Sequence, residues 1–508
     1  MSLNLATILA ESAQKAPQHP ALILGEHVMS YGELDGLARR FAAGLAGLGV
    51  GPGDKVALML PNVPHFTVAY YAAQYIGATA VPLNVLLTAP ELVYHLDDCD
   101  AVAVVTWEGF LKPVTEALPQ VQTEHLVVAR TQGSEVAVPS GAHDMMALAM
   151  SAAPIREIPA TSPDDTAVIL YTSGTTGRAK GAELSHFNLF YNAQYVATKL
   201  VGLDHSTMGL LALPLFHTFG QTVHQNAVLF AGGTNVLLPR FEPEAAMGAI
   251  QKHKVNLFAG VPTMYFALLN HGAADQYDLS SLEYCLSGGS SMPAEVMHAF
   301  DNKYGVKILE GYGLSETSPV ASFNVLDRER KPGSVGLPLW GVQMRLEDPN
   351  GEVVTEPGQA GEICIKGHNV MKGYYKRPDA TAAAIRDGWF HSGDIAVKDE
   401  EGYYFIVDRL KDMIIRGGYN VYPREIEEVL YAHPAVAEAA VVGVPDPRLG
   451  EEVKAVVALK PGQSASSEEL LAFCKERIAA NKYPRQMSVV ESLPKGPTGK
   501  ILKRKLRE

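Results

Sequence analysis

At 508 residues, 47% apolar and 19% charged, the chain has an ordinary globular composition and enough length for roughly three or four domain-sized units. A formal net charge of −13 argues against a nucleic-acid binder, which usually carries a basic surface. No apolar run reaches the ~18 residues of a membrane-spanning helix, and "MSLNLATILAESAQ" lacks the basic region of a signal peptide, so at most peripheral membrane contact is expected. The four cysteines, Cys99, Cys285, Cys364 and Cys474, form no C-x-x-C pair and read as reduced thiols of a cytoplasmic protein. Nothing in the pattern decides between monomer and homodimer.

In chain order, "YGELDGLARRFAAGLAGLGV" has helical periodicity and ends at glycine. "DKVALML" reads as a buried strand, "HFTVAYYAAQYIG" as a helix, "TAVPLN" as a strand, and "ELVYHLDDCD" leads into the strand "AVAVV". Short apolar strands alternating with helices predict parallel βαβ units. After residue 181 the pattern resumes with helix "SHFNLFYNAQYVATKL", strand "GLLAL", helix "FEPEAAMGAIQKH" and strand "VNLFAG". Residues 331–407, with "GEICIKG" and "GYYFIV", predict a small β-rich, barrel-like subdomain. From Arg409 onward there are 17 basic and 13 acidic residues, opposite in sign to the rest of the chain. That last part reads as a hairpin ("DMIIRGGYNVYP"), a helix with Pro423 at its first turn, two strands, a serine-capped helix and a final strand. The expected architecture is therefore α/β: a large N-terminal domain, residues 1–408, of two βαβ-type subdomains plus the β-rich one, then a small mobile α+β domain, residues 409–508.

Between the strand "TAVIL" and the next helix lies "YTSGTTGRAKG", residues 171–181. Glycine-rich backbone there can aim successive N–H groups at one oxyanion, with Thr172, Ser173, Thr175 and Thr176 adding hydroxyls and Lys180 a positive charge. The pattern suits a polyphosphate. It is not a Walker A loop, because Gly181 follows Lys180 where a magnesium-binding hydroxyl is required.

This loop is followed by "LPLFHTFG" (213–220), "SGGSSMP" (287–293), "GYGLSET" (311–317), "HSGD" (391–394), "DRLKDMIIRGGYNVYPREIE" (408–427) and "PKGPTGK" (494–500). In order and approximate spacing the set resembles the adenylate-forming enzymes: acyl-CoA synthetases, peptide-synthetase adenylation domains and luciferases. The resemblance spans essentially the whole chain. It implies that ATP and a carboxylic acid give acyl-AMP and pyrophosphate, after which coenzyme A displaces AMP. The first step joins two anions, so neutralisation of charge must dominate its catalysis.

Carried over residue by residue, the resemblance implies that Thr172, Ser173, Gly174, Thr175, Thr176 and Lys180 cradle the β- and γ-phosphates. Glu316 would hold Mg²⁺, and Thr317 would donate to the α-phosphate. Tyr312 would face adenine, with Gly288, Gly289, Ser290, Gly311 and Gly313 wrapping the base. Asp394 would accept the ribose hydroxyls and Arg409 would contact ribose or phosphate. Lys500 would bridge the attacking carboxylate and the α-phosphate, and Lys411 would be the hinge. Gly417 and Gly418 would leave room for the pantetheine arm of coenzyme A.

Toward the acid, His217, Phe216 and Phe219 would flank the entrance, with Val261, Met264, Tyr265 and Val320 as lining and Trp340 as a further pocket residue. An amino acid is disfavoured because the "FHTFGQ" region lacks the aspartate of amino-acid-activating relatives. Gly311 stands where malonate-type ligases carry an arginine, which removes a charge partner and is expected to widen the pocket. The reading is a medium- or long-chain fatty acid first and an aryl acid of the cinnamate or benzoate type second. An acyl-AMP ligase or a luciferase-like oxygenase would share the adenylation step.

Overall fold

The structure is a computed structural model that describes residues 2–172, 178–410, 412–417, 419–496 and 499–507. Two large sheets carry the first two-thirds of the chain. One has eight strands in the order Gly373–Tyr374, Lys180–Ser185, Thr166–Thr172, Thr79–Pro82, Lys55–Met59, Ala101–Trp107, His125–Ala129 and His143–Asp144. The other has nine, from Leu337–Pro338 through Val320–Phe323, Ile308–Gly313, Tyr284–Ser287, Leu257–Gly260, Met208–Leu211, Thr234–Leu237 and Pro20–Leu24 to His27–Ser30. Their central strands pair in parallel and are almost wholly apolar, as expected for sheets covered on both faces.

The helices start where local chemistry lets them. Tyr31–Gly47 begins with a reciprocal capping box between Ser30 and Glu33. Pro64 opens Pro64–Tyr75, a helix buried on nearly all sides. Several of its polar groups are paired inward, although His65 Nδ1 and Gln74 Oε1 are buried without a partner. Thr67 donates to Gln225 Oε1 (2.7 Å) and Tyr71 to Asn226 Oδ1 (2.9 Å), both on the buried π-helical turns Phe219–Asn226.

The glycine-rich segment departs from its expected setting. It does not run from a strand into a helix but joins two antiparallel strands, Thr166–Thr172 and Lys180–Ser185, with Thr172 opposite Lys180. The helix His186–Tyr195 starts only after the second strand, on a Ser185 cap. Both ends of the loop are thus fixed by a ladder, which sets Thr172 and Lys180 side by side. Ser173, Gly174, Thr175 and Thr176 lie outside the described residues, as do Lys411 and Gly418.

The β-rich part is a five-stranded sheet: Val342–Glu347, Gly361–Gly367, Trp389–Lys398 and Ile385–Arg386 in line, with Tyr404–Arg409 also paired to Trp389–Lys398. The last sheet contains Tyr419–Val421, Ile414–Arg416, Gly450–Leu459 and Val436–Asp446, with Gln486–Val490 parallel to Gly450–Leu459. It has its own core, including Ile414, Ile426, Val441, Val457 and Leu470. Ser466 and Glu469 form the capping box of its second helix. All four cysteines are free and buried, and among the described residues no helix is long and apolar enough to cross a membrane.

Candidate active site

A cavity of about 860 Å³ opens where the two large sheets, the β-rich sheet and the last domain meet. Thr172, Lys180, His217, Phe219, Val261, Gly288, Gly289, Gly311, Tyr312, Gly313, Glu316, Val320, Asp394, Arg409 and Lys500 all line it. Residues more than 300 positions apart in sequence are thus brought to one wall.

Strand pairing builds the anionic end of the site. Asp394 and Arg409 are direct cross-strand partners, and Arg409 Nε lies 3.0 Å from Asp394 Oδ1. The Tyr312 hydroxyl donates to Asp394 Oδ2 at 2.6 Å. Burial, and then the Asp394 charge, push the Tyr312 hydroxyl well above its ordinary range, so it remains a donor. Asp394 is only 4% exposed, so these two partners offset the cost of burying its carboxylate.

Glu316 sits in the short turn Ser315–Thr317 that follows the strand Ile308–Gly313. Its Oε1 accepts hydrogen bonds from Thr172 Oγ1 (3.1 Å) and the Tyr374 hydroxyl (2.9 Å). Lys180 Nζ lies 4.6 Å from the Tyr374 ring centre. One carboxylate, one ammonium and two hydroxyls therefore face a common space beside the glycine-rich loop.

Lys500 enters from the last domain. It leaves a tight turn in which Gly499 N–H donates to Gly496 O (2.9 Å) and Gly496 N–H to Lys500 O (2.8 Å). Gly499 has φ +78°, and a Cβ there would lie 2.9 Å from Thr263 Oγ1 and 3.1 Å from Val261 Cγ2. A glycine is needed for the turn to dock, and Thr263 Oγ1 donates to its carbonyl at 3.3 Å. Burial and the Lys500 charge lower the pKa of His217 to about 4, so His217 is neutral near pH 7. Its Nδ1 accepts the Phe219 N–H at 3.2 Å.

Several expected site residues stand elsewhere. Thr317 is fully buried behind the wall, where its hydroxyl accepts from Leu314 N–H (2.9 Å) and donates to Pro319 O (2.5 Å), so it shapes the turn and does not face the cavity. Tyr265 is fully buried and donates to the carbonyls of Phe258 and Leu286, which makes it core. Met264 is buried with it, and Phe216 and Ser290 lie off the lining. Trp340 is 74% exposed and stacks on Tyr191, away from the cavity. Gly417 is exposed, just after the strand Ile414–Arg416, and does not line the cavity. Gly311 does not widen the pocket: a Cβ there would fall 2.0 Å from Phe323 Cδ2, because the Phe323 ring fills that space from the opposite strand.

Sequence reasoning missed Tyr374, Phe323, Glu362, Arg386 and His391, all of which line the cavity. Only His391, inside "HSGD", carried a signal. Tyr374 reaches the site because its two-residue strand extends the eight-stranded sheet, a pairing with no local signature.

Residues 9–375 match the AMP-binding enzyme family, and residues 425–500 match the AMP-binding enzyme C-terminal domain. A long-chain-fatty-acid–CoA ligase of Bacillus subtilis (strain 168) is 38% identical, covering 99% of this chain and 94% of its own length. A feruloyl-CoA synthase of an Amycolatopsis species is 40% identical over 97% of this chain and 96% of its own. Among solved structures, MatB from Rhodopseudomonas palustris is 33% identical, with 100% of this chain and 98% of that one covered. Its ATP-bound form aligns with TM-score 0.91 and its apo form with 0.82. The overall arrangement of this chain is therefore closer to that of ATP-bound MatB than to that of apo MatB. Similarity of this extent, over both the large and the small parts, makes the chain a member of the AMP-binding enzyme family, the adenylate-forming enzymes that its motifs resemble.

Proposed function

We propose that this AMP-forming acid–CoA ligase activates a carboxylic acid with an uncharged, apolar tail, and that an aryl acid of the cinnamate or benzoate type fits it best. The observation that carries this reading is the apolar share of the cavity lining, Leu213, Pro214, Phe219, Val261, Val320 and Phe323. It offers no charged partner. Phe219 packs against Gly288, and the Phe323 ring blocks extension past Gly311, which favours a compact planar tail over a long flexible one. The feruloyl-CoA synthase relative supports the same choice. A medium- or long-chain fatty acid is the second reading, supported by the Bacillus subtilis relative.

In the mechanism this reading implies, Lys180 and Thr172 hold the departing pyrophosphate, while Asp394 takes the ribose hydroxyls and Arg409 steadies ribose or phosphate. Lys500 pairs with the acid's carboxylate and the α-phosphate, drawing two anions into contact. His217, uncharged, closes the acid side without repelling Lys500. Glu316 fits Mg²⁺, a hard cation that takes carboxylate oxygen and that would neutralise phosphate charge when bound. The expected division at 408–409 is moved to just after Arg409, which still pairs in the β-rich sheet; with a hinge at Lys411 it would let the small domain turn and bring the Gly417 hairpin to the cavity for coenzyme A.

The test is a pyrophosphate-release panel of aryl, fatty and short dicarboxylic acids, with and without coenzyme A. Aryl acids should give the highest kcat/KM, and AMP release should require coenzyme A. A preference for fatty acids of twelve or more carbons would overturn the aryl reading, and one for dicarboxylates would overturn the apolar-tail reading.

A further inference from the structure

We propose that Cys364, His391 and Glu347 form a binding site for a thiophilic divalent cation of the zinc type, set beside the nucleotide cavity. Their ligand atoms, a thiol Sγ, an imidazole nitrogen and a carboxylate oxygen, all lie within 4.8 Å of one another. Among the described residues this is the one such trio of possible metal ligands.

The β-rich sheet puts them there. Cys364 and His391 are direct cross-strand partners, and on its other side the strand Gly361–Gly367 pairs with Val342–Glu347, which ends at Glu347. Cys364 Sγ is 3.3 Å from His391 Nδ1. In a tetrahedral zinc site, with metal–sulfur and metal–nitrogen bonds of about 2.3 and 2.0–2.1 Å, the sulfur–nitrogen edge is about 3.5 Å. The resting separation is close to that edge before any metal arrives. Glu362 Oε2 lies 3.1 Å from His391 Nδ1 but outside the mutual 4.8 Å range of the trio, so it would have to move inward to serve as a fourth ligand. Cys364 and Glu347 are buried and the His391 side chain is 8% exposed, so the donors are shielded from bulk water.

Two guanidinium groups occupy the surroundings in the resting state. Arg345 Nε donates to Glu347 Oε1 at 2.8 Å, and Arg386 lies 2.5 Å from His391 Nδ1 and 3.7 Å from Glu362. Arg386 is 57% exposed, so it can swing into solvent at small cost. The same Nδ1 lies within reach of Cys364 Sγ, Glu362 Oε2 and Arg386, so a metal taking its lone pair replaces the arginine there. The mixture of thiolate, imidazole and carboxylate selects a borderline-soft cation and not Mg²⁺. Binding breaks the Cys364 S–H bond, forms a sulfur–metal bond, releases the proton to solvent and displaces Arg386.

Glu362, Arg386 and His391 also line the nucleotide cavity, and Glu362 ties the site to Asp394. Glu362 also accepts the Gly393 N–H at 2.9 Å through Oε1, and Gly393 immediately precedes Asp394. A metal that draws Glu362 toward itself loosens that bond and shifts Asp394, so zinc should weaken ATP binding. This coupling rests on the ribose role proposed for Asp394; the metal site does not.

Metal-free protein titrated with Co²⁺ should show one equivalent bound, with a thiolate-to-cobalt charge-transfer band. Zn²⁺ should displace the cobalt and raise KM for ATP several-fold. Cys364→Ser should lose the band and the zinc effect while keeping activity in Mg²⁺ buffer freed of zinc by a zinc-selective chelator. Glu347→Gln and Glu362→Gln, which spare the thiol, should weaken cobalt binding by about tenfold or more. A band that persists in Cys364→Ser, or none in the wild type, overturns the site. Zinc saturation with no change in KM for ATP overturns the coupling. The cobalt titration needs no turnover, so a failed acid assignment leaves it readable.

Discussion

Lys500 gives the sharpest residue-scale expectation. At about 4 Å and an effective dielectric near 20, one contact between unit charges is worth roughly 4 kcal/mol. Lys500→Ala should therefore slow acyl-AMP formation by on the order of 10²-fold or more, while thioester formation from supplied acyl-AMP largely survives; equal losses in both half-reactions would reject its assigned role. Glu310 gives a different kind of expectation. Burial raises its carboxyl to about 7, and only one oxygen is satisfied, by Met292 N–H at 2.9 Å. Between the ordinary value of 4.5 and about 7 the folded state holds a proton that the unfolded state has released. Stability from this group is therefore full below about 4.5 and falls as pH rises through 7, by up to about 3 kcal/mol. Melting curves from about pH 5.5 to about pH 8 should show Glu310→Gln gaining on the wild type as pH increases. Lys180, Glu316, Asp394, Arg409 and Lys500 were legible in sequence because each sits in a motif, whereas Glu362 and Arg386, which also line the cavity, carried no such signal. Trp340 and Tyr265 were misread because an aromatic in a motif-rich region looks the same whether it faces solvent, core or pocket.

At the scale of elements, the pairing of Ile308–Gly313 with Val320–Phe323 fixes the acid end of the cavity. Gly311 and Gly313 both lack room for a side chain, but for different reasons. At Gly311 the obstacle is the Phe323 ring; at Gly313 it is the Pro319 carbonyl oxygen, 2.0 Å from a Cβ. Gly311→Ala should cost about 1–3 kcal/mol by overpacking and be largely rescued by adding Phe323→Ala. Gly313→Ala should resist rescue by that second change. Chemical denaturation of the four variants reads this directly, and equal rescue of both would exclude the proposed difference. Most helices and parallel strands could be read from periodicity and caps. The antiparallel return of Lys180–Ser185 could not, because six residues that leave a glycine-rich loop and lead into a helix carry no alternation strong enough to announce a strand.

For the whole molecule, the decisive arrangement is the docking of the last domain with Lys500 in the cavity and Gly499 against Thr263. The chain is closer to the ATP-bound than to the apo relative in overall arrangement, so adenylation should need little further movement. Thioester formation should need a rotation. Lys411→Pro, which fixes φ at the proposed hinge, should slow the coenzyme A step well beyond the adenylation step. Rapid-quench measurement of the two half-reactions checks this, and equal rates to wild type in both would place the pivot elsewhere. Domain content was visible in the reversal of charge at the end of the chain, but relative placement was not, since it depends on contacts such as Thr263 to Gly499 between residues 236 positions apart.

The cross-strand pair Asp394–Arg409 has one more consequence. Both residues belong to the β-rich sheet, upstream of the proposed pivot, so turning the small domain leaves them where they are. Lys500 can withdraw while the AMP end of the intermediate stays gripped. A reactive mixed anhydride would then pass from one chemistry to the next without leaving the protein. Leakage of free acyl-AMP per turnover should consequently depend on Arg409 far more than on Lys500.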